Sequence, residues 1–364
     1  MNYQVVEPPH AAADPTLAGR NVRDLVDYAA HPAYRGFVET PGVAARLAAL
    51  LRFLPSWLLI KLKRAIRYEM IPLHVREAGG LGGIAAKARM ALSHLLDRPQ
   101  RGRGEAPDEG GLYPVLRRDG CAVVSMPGPA LQSLAELSRP LFDRLEARRE
   151  QGKGGERDFE ASRFYARRDE SAALFAAVER VLGEAGVFAT AERYLGHGVS
   201  LVDVNPQIND PSDDFWQRVF PDLQLGQPPC AYLHRDASGG DIKAIIYMSD
   251  VGPDNGPFGY VRGSHRMKMS VTDDHIAEAN DSNGLAGTDP ASRRLFAALP
   301  SRLRQKGSFG NDVPDGSPLV GELLDSLWSI TAPRGSVVVF DTKGVHRGGM
   351  VVQGERRVIT CVIG

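Results

Sequence analysis

An α+β protein with a mainly β core, helices against that core and a helical N-terminal extension is what this sequence predicts, on three observations. Short Val- and Ile-rich runs recur at 200–209, 241–248 and 336–340, each bounded by turn residues. Runs of helical spacing precede most of them, at 129–149, 174–182 and 187–195. The 39 glycines supply tight turns between such strands. Many short strands joined by Gly-rich turns suit a double-stranded β-helix, the jelly-roll barrel also found in cupins, with helices buttressing its outer face.

Composition bounds the rest. A chain of 364 residues with 43% hydrophobic residues buries a large core, and 44 basic against 44 acidic residues leave no field that would draw in nucleic acid. Cys121, Cys230 and Cys361 lie far apart, without metal-ligand spacing or a disulfide framework, which fits a reducing cytoplasm. Residues 1–15 have no basic start and no apolar run, so no signal peptide is expected.

In chain order, 1–96 reads as a helical N-terminal extension. Within it, 43–54 and 57–68 are basic and amphipathic, and charges interrupt every apolar run long before the roughly 18 residues a bilayer span needs. Two readings stay open: packing on the catalytic domain or a second subunit, or a peripheral contact of 43–68 with the inner face of a membrane. Residues 97–111 mix Pro, Gly and alternating charge without Val, Leu, Ile or an aromatic residue, and read as a linker or exposed loop. The main domain is 112–364. Within it, 116–124 reads as a turn into a strand, 129–149 as a helix after a Pro-Gly turn, and 174–182 and 187–195 as helices separated by Gly183 and Gly186. The stretch 267–331 lacks strand periodicity and reads as a lid insertion that shapes substrate choice and excludes water.

The chemistry is expected around Tyr232-Leu233-His234-Arg235-Asp236. If this stretch is extended, His234 and Asp236 stand on one face, so an imidazole and a carboxylate grip one ion. The best third ligand is His346, where the apolar run 336–340 meets a Gly-flanked turn. Two histidines and a carboxylate leave half an octahedron open, as in non-haem Fe(II) oxygenases. A further strand opens with Glu355-Arg356-Arg357, and an inward arginine there would hold the distal carboxylate of 2-oxoglutarate.

These residues, with Asn255-Gly256-Pro257-Phe258-Gly259-Tyr260-Val261-Arg262-Gly263-Ser264-His265 and Ala332-Pro333-Arg334-Gly335-Ser336, resemble the phytanoyl-CoA dioxygenase family over roughly 112–364. The resemblance implies an Fe(II)- and 2-oxoglutarate-dependent dioxygenase with His234, Asp236 and His346 as iron ligands and Arg357 as the carboxylate clamp. Arg356 is its rival, separated only by strand phase, since Arg357, Ile359 and Cys361 share a face. The implied reaction consumes O2 and 2-oxoglutarate, releases succinate and CO2, and hydroxylates an unactivated C–H bond. Desaturation or ring formation would use the same ligands, and the substrate is open among small-molecule, lipid-linked and saccharide classes. Where the family often has Pro-Gly-Ser-His this chain has Arg262, which leaves Arg262 to point at a substrate.

Lys243 and Tyr247 are polar on an apolar strand and suit contacts to 2-oxoglutarate, or equally solvent-facing positions; Gln207 and Asn209 on the preceding strand are substrate candidates on the same footing. His265 is a rival ligand, although side-chain bonds to backbone are the commoner use of a Gly-Ser-His turn. Two other classes remain: a cupin-like metal enzyme that does not use 2-oxoglutarate, and a non-catalytic binding module on the same fold.

Overall fold

The computed structural model describes residues 111–152, 163–196, 198–211, 233–236, 242–267 and 320–364, with 3–6, 8, 17 and short stretches between 42 and 88. In chain order its main elements are β1 (Gln4–Val6), α1 (Leu112–Asp119), β2 (Cys121–Ser125), α2 (Gly128–Gly152), α3 (Ala172–Glu184), α4 (Val187–Leu195) and β3 (Leu201–Asn209). There follow β4 (Ile242–Tyr247), β5 (Phe258–Val261), a 3-10 turn (Ser264–Arg266), α5 (Val320–Asp325), β6 (Leu327–Ile330), β7 (Ser336–Asp341), β8 (His346–Arg347) and β9 (Arg356–Ile363).

The strands form two antiparallel sheets, a large one in the order β1-β2-β7-β4-β9-β3 and a small one in the order β6-β5-β8. Because side chains alternate along a strand, each central strand of the large sheet feeds two cores. Val337, Val339, Ile242, Ala244, Ile246, Ile359 and Cys361 pack with α1–α4. Val338, Phe340, Tyr247 and Val358 pack instead with Phe258, Tyr260, Trp328 and Ile330 of the small sheet. Residues buried on both faces explain why β4 and β7 read as continuous apolar runs.

Strands and helices expected at 129–149, 174–182, 187–195, 200–209, 241–248 and 336–340 occur within a few residues of those bounds. Three expectations change. The turn expected from 116 is the end of a helix, because Leu112, Val115 and Leu116 are buried at helical spacing and Gly120 caps it at φ 78, its N–H donating to the Leu116 carbonyl. The extension 1–96 is not helical throughout, since Gln4–Val6 pairs with β2 at the sheet edge and Leu17 is buried among Leu233, Val261 and Val345. Residues 43–48 are helical, and Val43, Leu47, Leu51, Leu54 and Leu58 are exposed. The stretch 267–331, expected to hold no strand, contains one near its end. Leu327–Ile330 is a strand of the small sheet, its buried Trp328 and Ile330 alternating with Leu327 and Ser329, and it is too short to show periodicity in sequence. Residues 268–319 and most of 97–111 lie outside the described residues, as does Cys230. Cys121 and Cys361 are buried, and burial pushes both thiols up, as befits small apolar fillers.

The turn from β7 to β8 is bound sterically. A Cβ on Gly344 would lie 1.8 Å from the Tyr260 hydroxyl, which donates to the Asp341 carbonyl at 3.0 Å. Gly344→Ala is therefore expected to lower stability by about 2–3 kcal/mol in urea unfolding, with Tyr260→Phe in the same chain recovering part of the loss; a neutral Gly344→Ala would contradict this packing.

Candidate metal centre

The centre is assembled by backbone pairing. His234 and His346 form an antiparallel bridge, each N–H donating to the other's carbonyl at 2.8 Å. Opposed residues of such a pair project on the same side, so the two imidazoles stand together with ring centroids 4.5 Å apart. Asp236 returns to that side two residues on, its N–H donating to the Thr342 carbonyl at 3.2 Å. One ligand atom from each of His234, Asp236 and His346 lies within 4.8 Å of the others.

Local contacts orient these atoms. His346 is buried and surrounded by Phe258, Tyr260 and Phe340, with ring centroids 5.0–6.3 Å away. Its Nδ1 lies 2.8 Å from the Gly344 carbonyl, which can only accept, so Nδ1 is the donor there and Nε2 is the nitrogen turned towards Asp236. That Nε2 is 3.7 Å from Asp236 Oδ1, and His234 Nε2 is 4.0 Å from the same oxygen. Both separations are too long for hydrogen bonds, and two nitrogens and an oxygen so spaced fit around one cation. Burial opposes ionisation of Asp236, but the imidazole of His346, the Lys243 ammonium and the imidazole of His234 outweigh it and hold the carboxyl below the usual carboxylate range.

The other expected residues divide between the two faces of the large sheet. Arg357 lies on the helix side with Ile359 and Cys361, where Nε donates to Glu355 Oε1 at 2.5 Å and NH2 pairs with Glu146 of α2. The expected clamp is thus turned away from the centre. Arg356 shares the other face with Val358, buried at 8% exposure, with NH1 donating to the Gly256 carbonyl and NH2 to Asn209 Oδ1 at 3.2 Å. The facing differs from the sequence expectation because Ile359 and Cys361 are buried against the helices, which carries Arg357 to that side, where Glu355 and Glu146 pair with it, and leaves Arg356 opposite Asn209 on the other.

Lys243 stands at the centre, its Nζ 2.6 Å from Asp236 Oδ2. Tyr247, fully buried, does not reach the centre through its hydroxyl: it donates to the Ile330 carbonyl at 3.0 Å and accepts the Phe258 N–H at 3.2 Å, tying the two sheets together. Gln207 donates to Thr360 Oγ1 at 3.2 Å, and Asn209 holds Arg356, so both lie on the face of β3 that carries Arg356's neighbours. Arg262 is buried directly after β5, its N–H bonded to the Ser326 carbonyl. His265 sits apart, one ring nitrogen 3.0 Å from the Arg117 carbonyl. The Lys243–Asp236 pair is what sequence reasoning missed; the seven-residue spacing gives no sign of it, because 237–241 lies between.

No family model matches the sequence, and no curated protein matches it. Among solved structures, the chain is similar to AviO1 from Streptomyces viridochromogenes Tue57, at 16% identity over 69% of this chain and 92% of that one, with a TM-score of 0.37. It is also similar to EctD from S. alaskensis with 2-oxoglutarate and 5-hydroxyectoine (14% identity, 72% and 79% covered, TM-score 0.42). HygX from Streptomyces hygroscopicus with nickel and 2-oxoglutarate bound is a third (16% identity, 71% and 87% covered, TM-score 0.38). Likeness of this degree assigns neither family nor activity. The side chains must carry the functional reading.

If the three donors act together, anaerobic titration with Co(II) gives one tight site per chain. His346→Ala is expected to weaken it at least about 100-fold, and retention of tight binding in that variant would remove His346 from the centre.

Proposed function

We propose that this chain is a non-haem Fe(II)- and 2-oxoglutarate-dependent dioxygenase of the phytanoyl-CoA dioxygenase type, on a jelly-roll core, that hydroxylates a C–H bond of a small-molecule, lipid-linked or saccharide substrate. The observation that carries this reading is the convergence of His234 Nε2, Asp236 Oδ1 and His346 Nε2 with the spacing of one cation's ligands. These three atoms would hold the iron and leave half its coordination sphere for the keto acid and O2. Iron bound there supplies the oxidising power for C–H cleavage, coupled to decarboxylation of 2-oxoglutarate to succinate and CO2.

The chain's own residues would do the positioning. Arg356, on the inward face of β9, is assigned the distal carboxylate of 2-oxoglutarate, a task its planar guanidinium suits through paired charge-assisted hydrogen bonds. Its contacts with Asn209 and the Gly256 carbonyl would hold the guanidinium in place before the oxoacid arrives. Phe258, Tyr260 and Phe340 around His346 keep water from that side of the metal site. Gln207 and Arg262 are assigned to the substrate side, and 268–319 to its lid. Contact of 43–68 with an anionic membrane surface belongs to the same proposal, supported by the exposed row Val43, Leu47, Leu51, Leu54 and Leu58 at helical spacing. No helix among the described residues is long and apolar enough to cross a membrane.

The decisive experiment is anaerobic binding of 2-oxoglutarate to the Fe(II)-loaded protein, followed by succinate release in air. Arg356→Met is expected to weaken 2-oxoglutarate binding by about 30- to 100-fold, the loss of one paired charge-assisted contact. Arg357→Met is expected to leave it within about threefold. The reverse order would return the clamp to Arg357, and an Fe(II)-loaded protein that ignores 2-oxoglutarate would sink the oxygenase reading in favour of a metal enzyme of another class.

A further inference from the structure

The two oxygens of Asp236 have different partners. Oδ1 faces both imidazoles, 3.7 Å from His346 Nε2 and 4.0 Å from His234 Nε2, while Oδ2 is held by Lys243 Nζ at 2.6 Å. Lys243 and Asp236 are mostly buried, their side chains 28% and 20% exposed, so the contact is only partly screened by water. Lys243 is also fixed from below: it sits near the start of β4, between Phe340 of β7 and Val362 of β9 in the central register of the large sheet. Asp236 has its own backbone bond to Thr342.

We propose that Lys243 is a positioning residue: it claims Asp236 Oδ2 so that the carboxylate offers a metal only Oδ1, and its charge prepares the centre for a dianionic oxoacid. The inference rests on the metal reading of the triad. A carboxylate with both oxygens free can bind an ion through both, and it then takes one of the three positions that a bidentate oxoacid and O2 need together. With Oδ2 occupied by an ammonium, that mode is closed and three adjacent positions stay available.

The charges point the same way. A divalent ion, the Asp236 carboxylate and the Lys243 ammonium leave two positive charges at the centre, and the Arg356 guanidinium adds a third at the distal end, so a dianionic oxoacid enters a site with positive charge in excess. Without the ammonium that excess is gone. The ammonium therefore acts oppositely on two ligands: it repels the metal ion and attracts the oxoacid. A residue that merely supported the fold would weaken both on removal.

The test uses the full chain, with Co(II) as the metal and 2-oxoglutarate as the oxoacid, both titrated anaerobically by calorimetry. Lys243→Met keeps the aliphatic stem and removes the charge. It is expected to bind Co(II) about tenfold more tightly and to bind 2-oxoglutarate, once Co(II)-loaded, about 30-fold more weakly. Lys243→Arg keeps a cationic donor and is expected to return both constants most of the way, which guards against a folding defect in the Met variant. Parallel loss of both affinities in Lys243→Met, no change in either, or failure of Lys243→Arg to restore the oxoacid would overturn the assignment to Lys243 while leaving the triad standing. A native chain that bound no Co(II) would overturn the metal reading beneath it.

Discussion

The His234–His346 backbone pair is the constraint on which the rest depends. Two N–H···O bonds of 2.8 Å fix the opposition of residues that are remote in the chain, and that opposition places both imidazoles on one side of the small sheet. Asp236 follows from the period of two, and the Nδ1 bond of His346 to Gly344 selects the nitrogen that faces it. A slip of one residue in this pairing would send one ring to the opposite face and leave no centre.

The surroundings serve that pairing. Gly344 gives the Tyr260 hydroxyl room to reach the Asp341 carbonyl, so the turn into β8 lies flat against the ring. Gly349 performs a similar task further on, since a Cβ there would lie 2.4 Å from the Pro257 carbonyl oxygen. Tyr247 ties the sheets by bonding Ile330 and Phe258 through one hydroxyl, and its burial pushes that phenol up to about 12, so it remains a neutral donor there. The large sheet thus acts as a two-sided wall. Its outer face is committed to α1–α4, and its inner face carries the polar residues Lys243, Gln207, Thr360 and Arg356 beside an aromatic cluster.

That division separates two adjacent arginines by function. Arg357 is engaged by Glu146 of α2 and by Glu355, a clasp between the sheet and that helix. Arg356 points inward to Asn209 and Gly256. An ion pair to a helix and a buried guanidinium in the interior are chemically distinct uses of one residue type, and a single step in strand phase decides which arginine has which.

By itself the sequence determined much of the architecture: apolar runs named the strands β3, β4 and β7, helical spacing named α2, α3 and α4, and His234, Asp236 and His346 stood out by residue type and turn context. Those signals are local, set by period and propensity. Tertiary structure alone decided the phase of β9, the occupation of Asp236 Oδ2 by Lys243, the use of the Tyr247 hydroxyl between sheets, and the inclusion of Gln4–Val6 and Leu327–Ile330 as strands. Each depends on a partner outside the segment itself: an acidic side chain on α2, a carboxylate seven residues back, a carbonyl of the other sheet or an open sheet edge. No period along one segment encodes which distant group will come to lie opposite it.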